Sequence, residues 1–261
     1  MNFKGITYKK IHDFLHSKIR QLVYEKTYNG ENPIKYLLYQ NKSSDVLIVV
    51  FSSLTRPGVP ARYNYIRTLE NCNVNKLFIL DDLGPDHRGC YCLGKNREYS
   101  IEKDTQDLID KIKNEFQIKH TIYTGSSKGG WCALNFGLND KNADIIVGGC
   151  QYNLGTYFVV LPNIRLDNWL WGPNYSEMDV EILNGKIKEK IERGNSSNNR
   201  IHVHYSDKEH TYEEHIMYML EDLRNNGFTY DEEVLHYEDH NDLVKYFPQY
   251  LIREVDKVLL S

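Results

Sequence analysis

The chain has 261 residues, of which 41% are hydrophobic and 26% are charged, and its formal net charge is only −4. This length and apolar content favour one large domain with a sizeable core, and the lack of a basic stripe argues against nucleic acid as a partner. No apolar run has the length of a membrane-spanning helix, and the N-terminal sequence lacks the apolar segment of a signal peptide. An odd number of cysteines, five, is typical of reduced thiols and predicts a cytoplasmic protein.

Helical and strand patterns alternate along the chain. In chain order, the first half predicts a helix over the first ~30 residues, strands at 35–40 and 45–53, a helix at 62–70, a strand at 76–82, a helix at 101–116, a strand at 120–125 and a helix at 128–138. The second half predicts a strand at 143–150, an aromatic-rich irregular stretch at 151–199 with a helix at 178–193, a strand at 200–206, a helix at 210–225, a strand at 233–238 and a helix at 241–260. This alternation predicts a single α/β domain over 1–261, with a mostly parallel sheet flanked by helices. The stretch 151–199 is then a lid-like insertion before the penultimate strand.

The most informative motif lies where a predicted strand meets a predicted helix. Residues 124–134 read TGSSKGGWCAL and contain the pattern G-x-S-x-G centred on Ser127. A sharp strand–turn–helix around such a serine is the context of a nucleophile elbow. The turn strains the serine backbone and needs small neighbours, which Gly125 and Gly129 provide, while Gly130 lets the helix lie close to the sheet. The motif therefore predicts a nucleophilic serine at the start of a helix, where free N–H groups stabilise negative charge.

Other glycine-rich motifs fit this stretch poorly. In a P-loop the lysine follows the glycines, whereas here Lys128 precedes Gly129 and Gly130. An S-x-x-K motif needs serine at position 125, which is glycine, and the spacing of the glycines differs from a dinucleotide-binding fingerprint. The remaining alternative is a tight turn with incidental serines.

An activated serine needs a histidine and an acid, which in this context follow it in the order acid, then histidine. The predicted penultimate strand, 200–206, is followed by Asp207 and Glu209, and both are candidate acids. We favour Glu209, because it leaves a few residues of loop after the strand. The last predicted strand is followed by His240, which we predict to be the general base.

Histidines cluster in the last third of the chain, so a metal site is an alternative to the triad. A hydrolase motif H-x-H-x-D-H beginning at His202 would need aspartate at position 206, where Ser206 stands, and H-E-x-x-H is absent. Cys90 and Cys92 form a C-x-C pair without a second pair. We therefore predict no metal and no cofactor.

The oxyanion hole is expected to use two backbone N–H groups. The first is that of Lys128, directly after the nucleophile, and its side chain either raises the local potential or faces solvent. The second should come from the loop after the 45–53 strand, where Ser53 is our first choice and Ser52 the next.

Substrate-binding residues are harder to predict. Arg62 could hold an anionic or sugar-linked substrate, although it fits equally well as a surface arginine at a helix start. The insertion carries aromatic residues that could stack on sugar rings or simply fix the insertion to the body of the protein. These aromatics are Tyr152, Tyr157, Trp169, Trp171 and Tyr175.

Several segments resemble those of bacterial α/β-hydrolase-like proteins from surface-glycan loci, namely the capsule biosynthesis proteins of the XcbB/CpsF type and the second accessory Sec protein. The matching segments include VVFSS, LFILDDLG, Arg88-Gly89, YTGSSKGGWCAL, GGCQYNLGTYF and HYSDKEHTYEEHI, followed by His240. The resemblance runs from about residue 45 to the C-terminus. It implies an α/β-hydrolase fold, a triad of Ser127, Glu209 and His240, and acyl chemistry on sugars.

Together these features predict a serine-dependent esterase or O-acyltransferase, of the acetyl type, that acts on a bacterial surface or capsular glycan through an acyl-enzyme. The expected partners are the glycan and proteins of polysaccharide assembly. The alternative is a non-catalytic scaffold or binding module with the same fold in a polysaccharide assembly complex. A peptidase of this fold is a third hypothesis.

Overall fold

The computed structural model of the chain describes residues 23–160, 166–194 and 198–260. Its strands are β1 Glu25–Asn29, β2 Pro33–Tyr39, β3 Val46–Phe51, β4 Asn75–Leu80, β5 His120–Ser126, β6 Ala143–Gly148, β7 Arg200–Ser206 and β8 Thr229–Leu235. They form one sheet in the order β1-β2-β4-β3-β5-β6-β7-β8. The pairs β1–β2 and β2–β4 are antiparallel and the other five are parallel. The prediction of a mostly parallel sheet is confirmed.

Helices cover both faces of this sheet. They are α1 Ser100–Glu115, α2 Lys128–Gly137, α3 Leu154–Val160, α4 Leu166–Trp171, α5 Glu177–Arg193, α6 Met217–Asn225 and α7 Leu243–Leu260. A π-helix, Tyr212–Ile216, precedes α6, and a short 3-10 turn, His240–Asp242, precedes α7. Among the described helices, none combines the length and apolar character needed to cross a lipid bilayer.

The core consists of two clusters separated by the sheet. One contains the inner faces of α1, α2, α5 and α6, with side chains such as Leu108, Trp131 and Ile187. The other contains α7, with Phe247 and Leu251. Strands β4 and β6 are buried along their whole length, as expected for strands with helices on both sides. Every residue of α2 is also buried, so the nucleophile turn is held at the centre of the molecule.

Three predicted elements differ from the structure. Most of the predicted N-terminal helix lies outside the described residues, and its last part is strand β1 instead. The turn that joins β1 to β2 is fixed by Asp104, whose carboxylate accepts the N–H groups of Glu31 and Asn32. The predicted helix at 62–70 is a series of turns, because Tyr65 has a positive φ of 61° that interrupts a helix. The last strand begins earlier than predicted, at Thr229.

The stretch 151–199 contains α3, α4 and α5. Its helix α5 begins with a capping box, in which Ser176 and Asp179 satisfy each other's backbone N–H groups. Asp179 also accepts two hydrogen bonds from the Arg97 guanidinium, at 2.5 and 2.9 Å. This bidentate pair ties the start of α5 to the loop that follows β4.

Candidate active site

Ser127 occupies a strained turn between β5 and α2. Its backbone angles are φ 51° and ψ −122°, a region that residues with a Cβ rarely adopt. The conformation is held by a hydrogen bond from the Ser127 N–H to the carbonyl of Gly148, 2.8 Å, and the Ser127 carbonyl accepts the N–H groups of Gly130 and Trp131 in the first turn of α2. The hydroxyl is thereby presented at the N-cap of α2, as expected for a nucleophile elbow.

The glycines around Ser127 allow this turn to form. A Cβ on Gly129 would lie 2.6 Å from the carbonyl oxygen of Phe51, and one on Gly130 would lie 2.7 Å from the Cβ of Cys150. A Cβ on Gly125 would overlap the backbone of Gly129. Each contact is closer than real Cβ atoms tolerate, so the close approach of α2 to the sheet requires glycine at these positions.

The structure brings Ser127, His240 and Glu209 together in one hydrogen-bonded chain. His240 Nε2 lies 3.1 Å from Ser127 Oγ, and His240 Nδ1 lies 3.0 Å from Glu209 Oε2. This is the arrangement in which a histidine accepts the serine proton while the acid fixes its tautomer. The three side chains come from the ends of β5, β7 and β8, at the carboxyl edge of the sheet.

The Glu209 carboxylate is held in its ionised form. Burial raises its pKa, but hydrogen bonds from His240 and Thr211 outweigh burial, and the pKa is lowered overall. Both the hydroxyl and the backbone N–H of Thr211 donate to this carboxylate. An ionised, buried acid beside His240 stabilises the imidazolium that forms when the histidine takes a proton.

Gly149 also shapes the site, although sequence reasoning assigned it no role. It has a φ of +45°, and a Cβ there would lie 3.4 Å from Glu209 Oε1 and 3.4 Å from His240 Cε1. The available signal was the pair formed by Gly148, the last residue of β6, and Gly149, since glycine at a strand end can mark close approach to a neighbouring group. Thr211 left no comparable signal, because its contact depends on the fold of the acid loop.

Asp207, the other candidate acid, lies elsewhere. Its Oδ1 is 2.7 Å from Nδ1 of the exposed His236, so this carboxylate pairs with a surface histidine and not with His240. The reason is the direction of the chain: Asp207 follows the last residue of β7 directly, whereas Glu209 turns back into the core and is buried.

Within the part of the chain that the structure describes, two groups of side chains bring three metal-ligating atoms within 4.8 Å of one another. They are Glu209, His210 and His240, and His202, Asp231 and Glu254. The first shares the Glu209–His240 contact of the candidate triad. In the second, Glu254 already pairs with Arg253 and Lys257, so positive side chains balance its charge without an ion.

The predicted oxyanion donors have different environments. The backbone of Lys128 begins α2 directly after Ser127, as predicted, but its side chain neither faces solvent nor reaches the substrate side; it is fully buried and paired with Asp81. The Ser53 N–H donates to Asn64 Oδ1 at 2.9 Å and is therefore already engaged. The Ser52 hydroxyl accepts the Asp81 N–H at 3.1 Å, which gives this serine a role in joining two loops.

The predicted substrate-binding residues differ in burial. Arg62 is exposed, and Trp169 is half-buried. Tyr152 is buried, and its hydroxyl donates to Asp222 at 2.6 Å, so it belongs to the core. Trp171 is buried as well and packs on Tyr175 with ring centroids 4.9 Å apart. The Tyr152–Asp222 hydrogen bond joins the 151–199 stretch to α6, whereas Trp171 and Tyr175 both belong to that stretch, and stacking on sugar rings stays a prediction.

Comparison with known proteins identifies the fold. No known protein family's sequence profile matches the chain, and no curated protein matches it. Among solved structures, the capsule O-acetyltransferase of Neisseria meningitidis serogroup A is 21% identical, with a TM-score of 0.74 over 89% of this chain and 93% of the other. A mutant of that enzyme in complex with CoA is 20% identical, with a TM-score of 0.69 over 87% and 93%.

Two further structures are similar. The glycosylation-associated Gap123 complex of Streptococcus agalactiae is 16% identical, with a TM-score of 0.67 over 88% of this chain and 46% of the other. FphF, a fluorophosphonate-binding serine hydrolase of Staphylococcus aureus, is 14% identical, with a TM-score of 0.64 over 89% and 96%. At these identities the similarity is one of fold, and the chain has the α/β-hydrolase fold.

Proposed function

We propose that this protein is a serine-dependent O-acyltransferase or esterase of the acetyl type that acts on a bacterial surface or capsular glycan. The observation that carries this proposal is the hydrogen-bonded chain from Ser127 through His240 to the buried, ionised Glu209. A non-catalytic relative would have no need to keep Ser127 in a strained backbone conformation beside a histidine and a buried acid.

Acylation of the serine follows from this arrangement. Ser127 Oγ attacks the carbonyl carbon of the acyl donor while its proton passes to His240 Nε2. The Lys128 N–H at the start of α2 donates to the oxyanion. The tetrahedral intermediate then collapses, the leaving group takes the proton from His240, and an ester on Ser127 remains.

Deacylation repeats these steps with a second nucleophile. A glycan hydroxyl attacks the ester carbonyl and gives its proton to His240, and Ser127 Oγ leaves and regains that proton. Attack by water instead of the hydroxyl makes the same site an esterase. Glu209 stays ionised in both half-reactions and stabilises the protonated histidine.

The comparisons support the choice of acyl group and acceptor. The first similar structure is a capsule O-acetyltransferase, and a mutant of that enzyme binds CoA, so a CoA thioester is the donor to test first. The likeness to a glycosylation-associated complex supports a setting among glycan-assembly proteins. All five cysteines are free and buried, which supports a location in the reducing cytoplasm.

The first experiment is mass spectrometry of the protein after reaction with a fluorophosphonate probe. We expect labelling of Ser127 that disappears in Ser127→Ala and falls sharply in His240→Ala, with both variants folded by circular dichroism. Transfer is then tested by incubation with acetyl-CoA and a de-O-acetylated capsular polysaccharide, followed by NMR of the polysaccharide. A folded wild-type protein that is never labelled would contradict the mechanism and favour the scaffold hypothesis.

A further inference from the structure

A second polar side chain, besides His240, touches the candidate nucleophile. Gln151 follows β6 by three residues and is 1% exposed. Its amide Nε2 lies 3.4 Å from Ser127 Oγ, on which it acts as donor. Among the described residues, Ser127 Oγ therefore has two hydrogen-bond partners, His240 and Gln151. The proposed mechanism uses His240 and assigns no role to Gln151.

The orientation of the Gln151 amide is set from its other end. The Tyr91 hydroxyl lies 3.4 Å from Gln151 Oε1 and donates to it. Burial raises the pKa of Tyr91 well above its ordinary value, so the phenol keeps its proton and remains a donor. With the amide oxygen at Tyr91, the amide NH₂ faces Ser127.

Tyr91 is itself fixed by the loop that carries it. The backbone N–H groups of its neighbours Cys90 and Cys92 donate to the Asp81 carboxylate at 2.9 and 3.1 Å. Asp81 is paired in turn with Lys128, the residue after the nucleophile. The loop that positions Tyr91 is therefore anchored to the same helix start that presents Ser127.

The chemistry at Oγ gives this contact a function. The serine hydroxyl has one proton, which it donates to His240, and its lone pairs accept from Gln151. Negative charge develops on Oγ when that proton leaves, and again when Oγ is expelled from the acyl-enzyme. An N–H donor aimed at such charge in a buried site stabilises both transition states. A 3.4 Å contact in the free enzyme can shorten as the charge forms.

We propose that Gln151 is a catalytic residue that donates to Ser127 Oγ in both acylation and deacylation, with Tyr91 as its positioning residue. The inference rests on the proposed function, because it needs Ser127 to react. An amide does not titrate in the working pH range, so Gln151 serves as a donor at every step, whereas His240 alternates between acceptor and donor.

The test compares Gln151→Leu and Gln151→Glu with wild type. Leucine has a similar size but no donor, and a glutamate carboxylate keeps the shape while opposing charge on Oγ. The readouts are the rate of fluorophosphonate labelling of Ser127 and, with p-nitrophenyl acetate, the burst rate for acylation and the steady-state rate for deacylation. We expect both steps to slow roughly 10-fold or more in Gln151→Leu and further in Gln151→Glu, with both variants folded by circular dichroism.

Tyr91→Phe is the matched control, since it removes the hydroxyl that orients the amide and keeps the ring; a smaller loss is expected. If wild type is labelled and either folded Gln151 variant reacts at the wild-type rate, the inference is wrong while the proposed function stands. If folded wild type is never labelled, both are wrong. Should Gln151→Leu fail to fold, the rates of Gln151→Glu decide.

Discussion

Lys128 Nζ, on the residue after the candidate nucleophile, lies 2.7 Å from Asp81 Oδ2, and both side chains are buried. Burial lowers the pKa of Lys128, but Asp81 and neighbouring groups outweigh it and the pKa is raised overall, so the lysine is charged. The backbone of Lys128 begins α2 directly after Ser127, while its side chain anchors the loop that follows β4. A Cβ on Gly89 would lie within 3 Å of Asp81 Oδ2, which shows how closely this loop packs on the pair.

Replacing Lys128 with methionine should strongly destabilise the fold. The substitution leaves the Asp81 carboxylate buried without its cation, and breaking a buried ion pair costs about 3–5 kcal/mol. The lower end is expected here, because the N–H groups of Cys90 and Cys92 still donate to Asp81. The measurement is the free energy of unfolding by urea denaturation.

Lys119→Met is the matched control for this prediction. Lys119 also pairs with an aspartate, Asp45, but both side chains are largely exposed, and exposed ion pairs contribute little. Its loss should leave the free energy of unfolding nearly unchanged. Equal effects of the two substitutions would contradict a structural role for the Lys128–Asp81 pair.

The acid of the proposed triad can be tested by a matched pair of amide substitutions. Glu209→Gln keeps the size of the side chain but removes the charge that stabilises protonated His240 and can reverse its tautomer. We expect the rate of Ser127 labelling to fall roughly 10²- to 10⁴-fold. Asp207→Asn removes a carboxylate that pairs with exposed His236 and should change the rate very little. A larger loss in Asp207→Asn than in Glu209→Gln would reverse the assignment.

Sequence alone could predict the alternation of elements and the residues that meet at the strand ends. The reason is geometric: parallel strands bring their carboxyl ends to one edge, so the order Ser127, Glu209 and His240 already indicated a shared site. The choice between Glu209 and Asp207 depended on a loop of two residues, and the structure places Glu209 in contact with His240.

Other features depended on contacts distant in sequence. The burial of Lys128 requires Asp81 at the end of β4, and a lysine beside a serine carries no sign of it. The Ser53 N–H is engaged by Asn64 because the chain after β3 folds back through turns, one of them at the left-handed Tyr65. Gln151 reaches Ser127 only because β6 lies beside β5. Periodicity and motif spacing cannot report such pairings.

The close packing of the nucleophile turn predicts different results for two glycines. In Gly129→Ala the new Cβ would lie 2.6 Å from the Phe51 carbonyl oxygen, a backbone atom that cannot move alone. We expect a loss of about 1–3 kcal/mol in the free energy of unfolding and slower labelling of Ser127. In Gly185→Ala, within α5, the Cβ meets only the Glu189 side chain at 3.4 Å, and a gain of about 0.5–1 kcal/mol is expected. If Gly129→Ala and Gly185→Ala both lowered the free energy of unfolding, the cause would be the replacement of glycine within a helix and not the close contact in the nucleophile turn.

Two buried histidines should shape the pH dependence of stability in opposite ways. Burial lowers the pKa of His202, but its contacts with Asp144, Asp231 and Glu254 outweigh burial, and the pKa is raised above 6.5. The folded state therefore holds this proton more tightly than the unfolded state. The contribution of this proton to the free energy of unfolding is fully present below about pH 6.5 and is lost as pH rises through the pKa of His202 in the folded state. Removing His202 should accordingly cost more at acid pH than at alkaline pH.

His215 behaves in the reverse sense. Burial is the main cause that lowers its pKa to about 4, and its Nδ1 accepts the Asn153 N–H at 3.3 Å, so the folded state keeps it neutral. In the unfolded state His215 takes up a proton near pH 6.5, whereas in the folded state it stays neutral down to about pH 4. The free energy of unfolding therefore decreases as pH falls from about 6.5 towards 4. The test is urea denaturation of wild type, His202→Asn and His215→Asn from about pH 5 to pH 8.5. The difference from wild type should shrink with rising pH for His202→Asn, whereas for His215→Asn it should shrink with falling pH. Parallel curves for all three proteins would contradict both assignments.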